Sequence, residues 1–330
     1  MHRRAALAAA AALAAPWLAA PWLAAPRLAR AQGFERTLRI IIPFAPGGTS
    51  DIIARLIAPE LTRLLGQNVV VENRTGASGN IAIDYVAKAA PDGHTMLLTD
   101  VGIIATAPSL FARLPFEVTR DLAPVTMLIY APYILAVNPG VPARDAAALE
   151  AYARANPTRV NVAHSGIGSA NHLTALLLAQ HWGVELVQVP YRGGAAALTA
   201  VAGGEAQLII NGATATQPFV TGGQLRGIAV TGPKRLAALP DLPTFAELRW
   251  PAPENGTWQG VLVPAGSPPA LVARLDQALR EALAVPAVAA RLASIGGEVR
   301  AEGAAPFREW LARETATWGA VIRANGIRLD

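Results

Sequence analysis

Beyond residue 36 the chain alternates short apolar runs with longer stretches whose apolar residues recur every three or four positions. "TLRIIIPF" (37–44), "NVVVEN" (68–73), "TMLLTD" (95–100), "PVTMLIY" (124–130) and "YILAVN" (133–138) read as strands. "RVNVAHS" (159–165), "VELVQVP" (184–190), "AQLIIN" (206–211), "LRGIAVT" (225–231) and "QGVLVPA" (259–265) continue the series. Between them lie helical patterns, as in Ile52, Ile53, Leu56, Ile57, Leu61, Leu64 and Leu65. Pro59 falls inside that pattern and predicts a kink. Alternation of strand and helix, with strands apolar on both faces, predicts an α/β chain with parallel sheets covered on both sides.

Ten such strands exceed one comfortable sheet, so two lobes are expected. Ala131–Pro132 separates two strands without a helix, and "PENGTWQG" (253–260) is a second helix-free crossing. The boundaries that follow are 32–131 with 256–330 for lobe 1, and 132–255 for lobe 2. Two crossings predict a hinged clamshell with ligand between strand ends. "PALVARLDQALREALA" and "FREWLARETATWGAVIRANG" read as surface helices closing lobe 1.

Residues 1–31 differ from the rest. Arg3–Arg4, an alanine- and leucine-rich run and "ARAQ" predict a signal peptide cleaved near Ala31, and hence a periplasmic protein. Arg3–Arg4 also leave twin-arginine export open beside the general route. The leader holds four of the 28 basic residues, so the remainder sets 24 against 23 acidic ones. That balance carries no electrostatic footprint for nucleic acid. The absence of cysteine excludes disulfides and thiolate metal sites.

The candidate chemistry sits in glycine-rich turns that follow strands and open helices. "PFAPGGTSD" (43–51) is the first; Thr49, Ser50 and Asp51 are three consecutive helix-capping types. "NRTGASGNIA" (73–82), "HSGIGSANHLTALLLAQ" (164–180) and "YRGGAAALTAVAGG" (191–204) repeat the arrangement. Each turn alone is explained by loop geometry; four at C-terminal strand ends point to a ligand. Backbone N–H groups and the hydroxyls of Thr49, Ser50, Ser78, Ser165 and Ser169 suit an anion, with Arg192 as the one full positive charge. Arg192 reads equally well as a surface residue. Hydrogen bonds to a charged acceptor contribute about 1.5–3 kcal/mol each, enough for a micromolar carboxylate site after ordering costs.

Catalytic motifs are missing. No G-x-S-x-G elbow or P-loop occurs, and "GIGSAN" lacks the third glycine of a dinucleotide fingerprint. His172 and His181 are nine apart, off metal spacing, and helix-surface histidines explain both. His164 beside Ser165 leaves an exported hydrolase as the enzymatic alternative.

Several segments resemble the Bug family of periplasmic solute receptors, which serve tripartite tricarboxylate transporters. They are "LRIIIPFAPGGTSDIIARLIAPELTRLLGQNVVVENRTGASGNIA", "PDGHTMLLT", "DLAPVTMLI", "GIGSANHL", "VPYRGGAAALTAVAGGEAQLII" and "LRGIAVTGPKRLAALPDLPTFAEL". The resemblance implies a type II periplasmic-binding-protein fold, two lobes joined by a two-stranded hinge. It further implies a small organic acid held by the Phe44–Asp51 and Tyr191–Gly194 turns, partly through water. The "GIGS" turn (Gly166–Ser169) and the turn after "TMLLT" are expected close by.

The candidate ligand-binding residues are therefore Phe44, Ala45, Pro46, Gly47, Gly48, Thr49, Asp51, Ser78 and Asp100. Ser165, Gly168, Ser169, His172, Tyr191, Arg192, Gly193, Gly194 and Asn211 complete the set. The expected partners are membrane transporter subunits or a sensor protein; the receptor is expected to be a monomer without cofactor or metal. Two departures bear on the ligand. Asn211 stands where relatives often carry aspartate, which argues against an amine-bearing ligand. "TDVGIIATAPSLF" is unusually apolar for its place, which suits an aliphatic or aromatic ligand body.

Overall fold

A computed structural model describes residues 34–251 and 256–328, so the expected leader lies outside the described residues. The strands are β1 (Leu38–Ile42), β2 (Val69–Asn73), β3 (Thr95–Asp100), β4 (Leu122–Val137), β5 (Asn161–His164), β6 (Val187–Pro190), β7 (Leu208–Gly212), β8 (Arg226–Val230), β9 (Gly256–Pro264) and β10 (Glu298–Gly303). The helices are α1 (Thr49–Leu65), α2 (Asn80–Ala87), α3 (Val101–Leu110), α4 (Val118–Asp121), α5 (Ala146–Ala155), α6 (Ala170–Trp182), α7 (Gly194–Ala202), α8 (Ala213–Thr221), α9 (Pro269–Ala284), α10 (Pro286–Ser294) and α11 (Ala304–Ala324).

All ten strands join one hydrogen-bonded network, in the order β2-β1-β3-β9-β4-β7-β5-β6, with β8 and β10 also on β4. The expected separate parallel sheets give way to a mixed arrangement. β1 pairs in parallel with β2 and β3, and β5 with β6 and β7. Every pairing of β4, and that of β3 with β9, is antiparallel.

β4 is the second correction, because the two strands read on either side of Ala131–Pro132 are one strand of 16 residues. From Leu122 to Pro132 it pairs with β9, and from Tyr133 to Val137 with β7. Pro132 cannot donate to a ladder, and it falls where one partner hands over to the next. β10 was not legible: "EVRAEG" is half exposed and charged, the composition of an edge strand.

α1 shows why the periodic reading worked and where it failed. Ile53, Ile57, Leu61 and Leu65 face the core, each burial contributing about 1.5–3 kcal/mol. The helix runs unbroken through Pro59 instead of stopping there. Pro59 is exposed, so the carbonyl deprived of its donor lies on the solvent side while the apolar stripe opposite stays packed. Gly66, at φ +69°, ends the helix by donating its N–H to Thr62 O.

α11 does more than close one end. Its Phe307, Trp310 and Leu311 pack with Ile41, Leu97 and Leu262, whereas its Trp318 and Ile322 pack with Tyr133, Trp182 and Leu208. The C-terminal helix therefore bridges two apolar clusters. Among the described residues no helix is long and apolar enough to cross a membrane.

Candidate functional site

Five helices, α1, α3, α6, α7 and α8, begin near one small cavity, each after a strand of the sheet. Its volume is about 40 Å³, room for about three ordered waters. Phe44, Gly48, Thr49 and Ser50 line it from the start of α1; Asp100 lines it from the cap of α3. Ser165 and Asn171 come from the start of α6, Gly194 from α7, and Asn211 and Gly212 from the start of α8. Tyr133, Thr257 and Gln259 form the remainder, from β4 and β9. First-turn N–H groups lack intrahelical acceptors, so converging helix starts create a field that favours negative charge.

Close approach explains two of the glycines. A Cβ on Gly194 would stand 2.4 Å from Asn211 Oδ1. A Cβ on Gly212 would meet both Thr49 Oγ1 at 2.8 Å and Thr257 Cγ2 at 2.9 Å. A side chain at either position would displace the polar groups of the wall.

The polar lining is ordered by its own bonds. Ser50 Oγ donates to Gln259 Oε1 at 2.7 Å, and Gln259 Nε2 donates to Thr257 Oγ1. The Thr257 side chain in turn bonds the Asp100 carboxyl, whose Oδ1 also accepts from Gly102 N at 2.9 Å. Ser165 Oγ donates to Asn171 Oδ1 at 3.0 Å, and Asn171 Nδ2 to Ile210 O at 3.0 Å. Burial pushes Asp100 up to about 6, against the bonds from Gly102 and Thr257 and the nearby Tyr133 hydroxyl, which favour its charged form. The Tyr133 hydroxyl comes near this carboxyl, but it is fully buried without a well-formed hydrogen bond.

The opening turn spends part of its donor set on itself. Gly47 N donates to Asp51 Oδ2 at 2.9 Å, and Ala45 N to Arg192 O at 3.2 Å. The N-cap of α1 is Gly48, with no side-chain cap; the Thr49–Ser50–Asp51 capping expected from the sequence does not form. Asp51 is buried, and it also holds Asn73 Nδ2 at 3.0 Å and Arg55 Nε at 2.9 Å. Burial pushes its pKa up, yet the bonds from Arg55, Gly47 and Asn73 win and hold it below the usual carboxylate range. Asp51 and Gly47 thus build the turn, and neither lines the cavity.

Two neighbouring spaces share Phe44 and Ser165 with the first. One, about 10 Å³, adds Ser78, Gly168 and Ser169 beside the apolar Ile103, Leu110 and Phe111. The other, an open mouth of about 520 Å³, adds Ser78, Tyr191 and Arg192. Ala77 and Ser78 adopt φ +46° and +52°, a left-handed geometry that costs non-glycine residues and collects at functional turns. Arg192 is exposed and reaches only this mouth. Ala45, Pro46, Gly193 and His172 line none of the three spaces.

His172 is corrected from a helix-surface residue to a buried one. Its ring lies 4.4 Å from that of His164, and its Nδ1 accepts from Gly168 N at 3.0 Å. His164 Nδ1 lies 2.9 Å from Gly166 O, which places its proton there. Burial pushes His164 down to about 4 and His172 to about 3, the latter helped by His164 itself. Ser165 donates to Asn171 rather than to His164, and His164 Nε2 has no hydrogen-bond partner. The nucleophile–base pair that a hydrolase needs is not assembled by these residues. Among the described residues no cluster of potential metal ligands occurs.

Sequence reasoning missed Tyr133, Asn171, Gly212, Thr257 and Gln259; it offered the Ser50 hydroxyl to an anion but left Ser50 out of the candidate set. Thr257 and Gln259 carried a signal: two polar residues at period two in an otherwise apolar strand face the same side.

A family model described as the tripartite tricarboxylate transporter family receptor matches residues 53–327. BugT of Bordetella pertussis is 34% identical over 295 residues, 89% of this chain and 90% of BugT. A solved Rhodopseudomonas palustris protein with adipate is 35% identical, with a TM-score of 0.85 over 89% of this chain and 99% of that one. MatC from the same species, with bound malate, is 32% identical, with a TM-score of 0.83 over 87% and 99%. The fold is that of the α/β periplasmic binding proteins, and the chain belongs to the tripartite tricarboxylate transporter receptor family, as a solute-binding receptor of the TctC and Bug type.

Proposed function

We propose that this receptor captures a small organic acid, with its carboxylate in the inner cavity and its body toward the mouth, and passes it to the membrane subunits of a tripartite tricarboxylate-type transporter. The observation that carries the reading is the convergence of five helix starts on a cavity lined by hydroxyls, amides and close-packed glycines. Dipoles of this kind stabilise an anion without a fixed cation. The relatives solved with adipate and malate point to the same ligand class. Ligand enters through the mouth beside Ser78, Tyr191 and Arg192, with bound water completing its contacts at the turns. The lobes that close on it are 32–131 with 256–330 and 132–255, with β4 and β9 as the crossings. Export to the periplasm follows from the leader read at 1–31, and the protein acts there as a monomer.

Ligand identity is read by native mass spectrometry of the purified protein, followed by titration calorimetry with adipate, malate and glutamate. A co-purified acid and micromolar binding of a carboxylate without an amine are expected. Consumption of an ester substrate with no heat from any carboxylate would overturn the reading.

A further inference from the structure

The inner cavity contains an electrostatic conflict. It is proposed to take an anion, yet Asp100 lines it, and no lysine or arginine is among the described residues of its wall. The side chains that line the cavity around Asp100 are neutral, and the charged group nearest to them, Glu314 of α11, which acts on Tyr133, is itself acidic. β4 offers Tyr133, 2% exposed, whose hydroxyl burial keeps protonated and which Asp100, Tyr130 and Glu314 disfavour ionising further. β9 offers Thr257 and Gln259, β7 Asn211, and α6 Asn171 with the uncharged His172 behind it. Gly102 N and the Thr257 side chain are the donors to the carboxyl. Neither is a cation that could hold Asp100 ionised against a second negative charge a few ångströms away.

We infer that Asp100 is protonated in the ligand-bound receptor and donates its O–H to a ligand oxygen, so that capture of the anion takes up one proton from solution. The deduction rests on the carboxylate reading above. The unpartnered Tyr133 hydroxyl supplies a second donor beside it, so this end of the cavity reads an acceptor on the ligand, a carboxylate or carbonyl oxygen, and disfavours an ammonium. The raised pKa of the free receptor, about 6, means the proton is already partly present near neutrality. The proton comes from solvent and returns there on release; no bond in the ligand changes.

Calorimetry of the wild-type receptor with adipate and with malate, at pH 8 in two buffers of different ionisation enthalpy, counts the proton directly. An uptake near one proton per ligand is expected. Over pH 7–8.5, where both ligand carboxylates stay ionised, affinity should fall nearly tenfold per pH unit. Asp100→Asn, which keeps an N–H donor at every pH, should flatten that profile and bind at least tenfold more tightly than wild type at pH 8. Binding of adipate or malate with no proton uptake and a flat wild-type profile would overturn the inference and leave the carboxylate reading standing. Glutamate binding more tightly than adipate, again without uptake, would show Asp100 ionised against an ammonium and would also overturn it. No heat with any of these acids between pH 5.5 and 8.5 would remove the functional reading, and the inference with it.

Discussion

The backbone N–H of Ala45 donates to the carbonyl oxygen of Arg192 at 3.2 Å, tying the turn after β1 to the turn after β6. These two turns were expected to hold the ligand's carboxylate, and here they also hold each other. If the contact belongs to a closed receptor, ligand should strengthen it. Hydrogen exchange at the Ala45 amide is expected to slow on saturation with adipate or malate. An exchange rate indifferent to ligand would show that the bond does not report closure.

Gly212 sits where three elements meet. Its replacement by alanine puts a methyl group against both Thr49 and Thr257. Overpacking of this kind costs about 1–3 kcal/mol, and the displaced side chains belong to the cavity wall. Gly212→Ala should therefore lower the melting temperature by several degrees and weaken carboxylate binding more than tenfold. Scanning calorimetry and titration on one sample separate the two effects.

Asp51 is the keystone of the opening turn despite lining no cavity. Removing its carboxylate strands Gly47 N and Asn73 Nδ2 in a mostly buried setting. Asp51→Ala should cost about 1–3 kcal/mol of stability in urea titration. Asp51→Asn keeps one acceptor and should recover part of it. Equal losses in the two variants would mean that the charge, paired with a half-exposed Arg55, matters more than the geometry.

The stacked histidines make a pH prediction whose sign follows from burial. Both are neutral when folded and regain the ordinary value near 6.5 when unfolded, so acid favours the unfolded chain. Stability should decline as pH falls below 6.5, continuing toward 4. Asp100 acts in the opposite sense, since its raised pKa makes the folded form bind its proton first. Comparison with a variant isolates the pair. His172→Asn, whose side-chain oxygen can accept the Gly168 N–H, should lose about 1–2 kcal/mol less than wild type between pH 6.5 and 5. Identical acid profiles would show that His172 is charged or solvated in the native state.

Much of the frame was legible because burial writes a period into the sequence. β1 and α1 were found with their faces, since Ile40, Ile41 and Ile42 are buried on both sides and Ile53, Ile57 and Leu61 recur helically. β4 was misread because a proline is normally a strand breaker, and nothing local announces that partners change at Pro132. β10 was missed because an edge strand needs little apolar surface. At the site, residue type located the turns but not the direction of their donors. That Thr49, Ser50 and Asp51 can cap says nothing of which N–H each will meet, and Asp51 turned back to Gly47. Tyr133, Thr257 and Gln259 reach the cavity from strands distant in sequence, a juxtaposition that only tertiary pairing creates.

The inner cavity's wall has helix starts and amides where another receptor could have placed an arginine. The pull of a dipole dies away faster with distance than that of a unit charge, so such a wall acts only on a solute already at its surface. Inside the cavity the attraction is then nearly indifferent to dissolved salt, and long-range steering is left to Arg192 at the mouth. Release of an anion from the inner cavity would require no ion pair with lysine or arginine to be pulled apart.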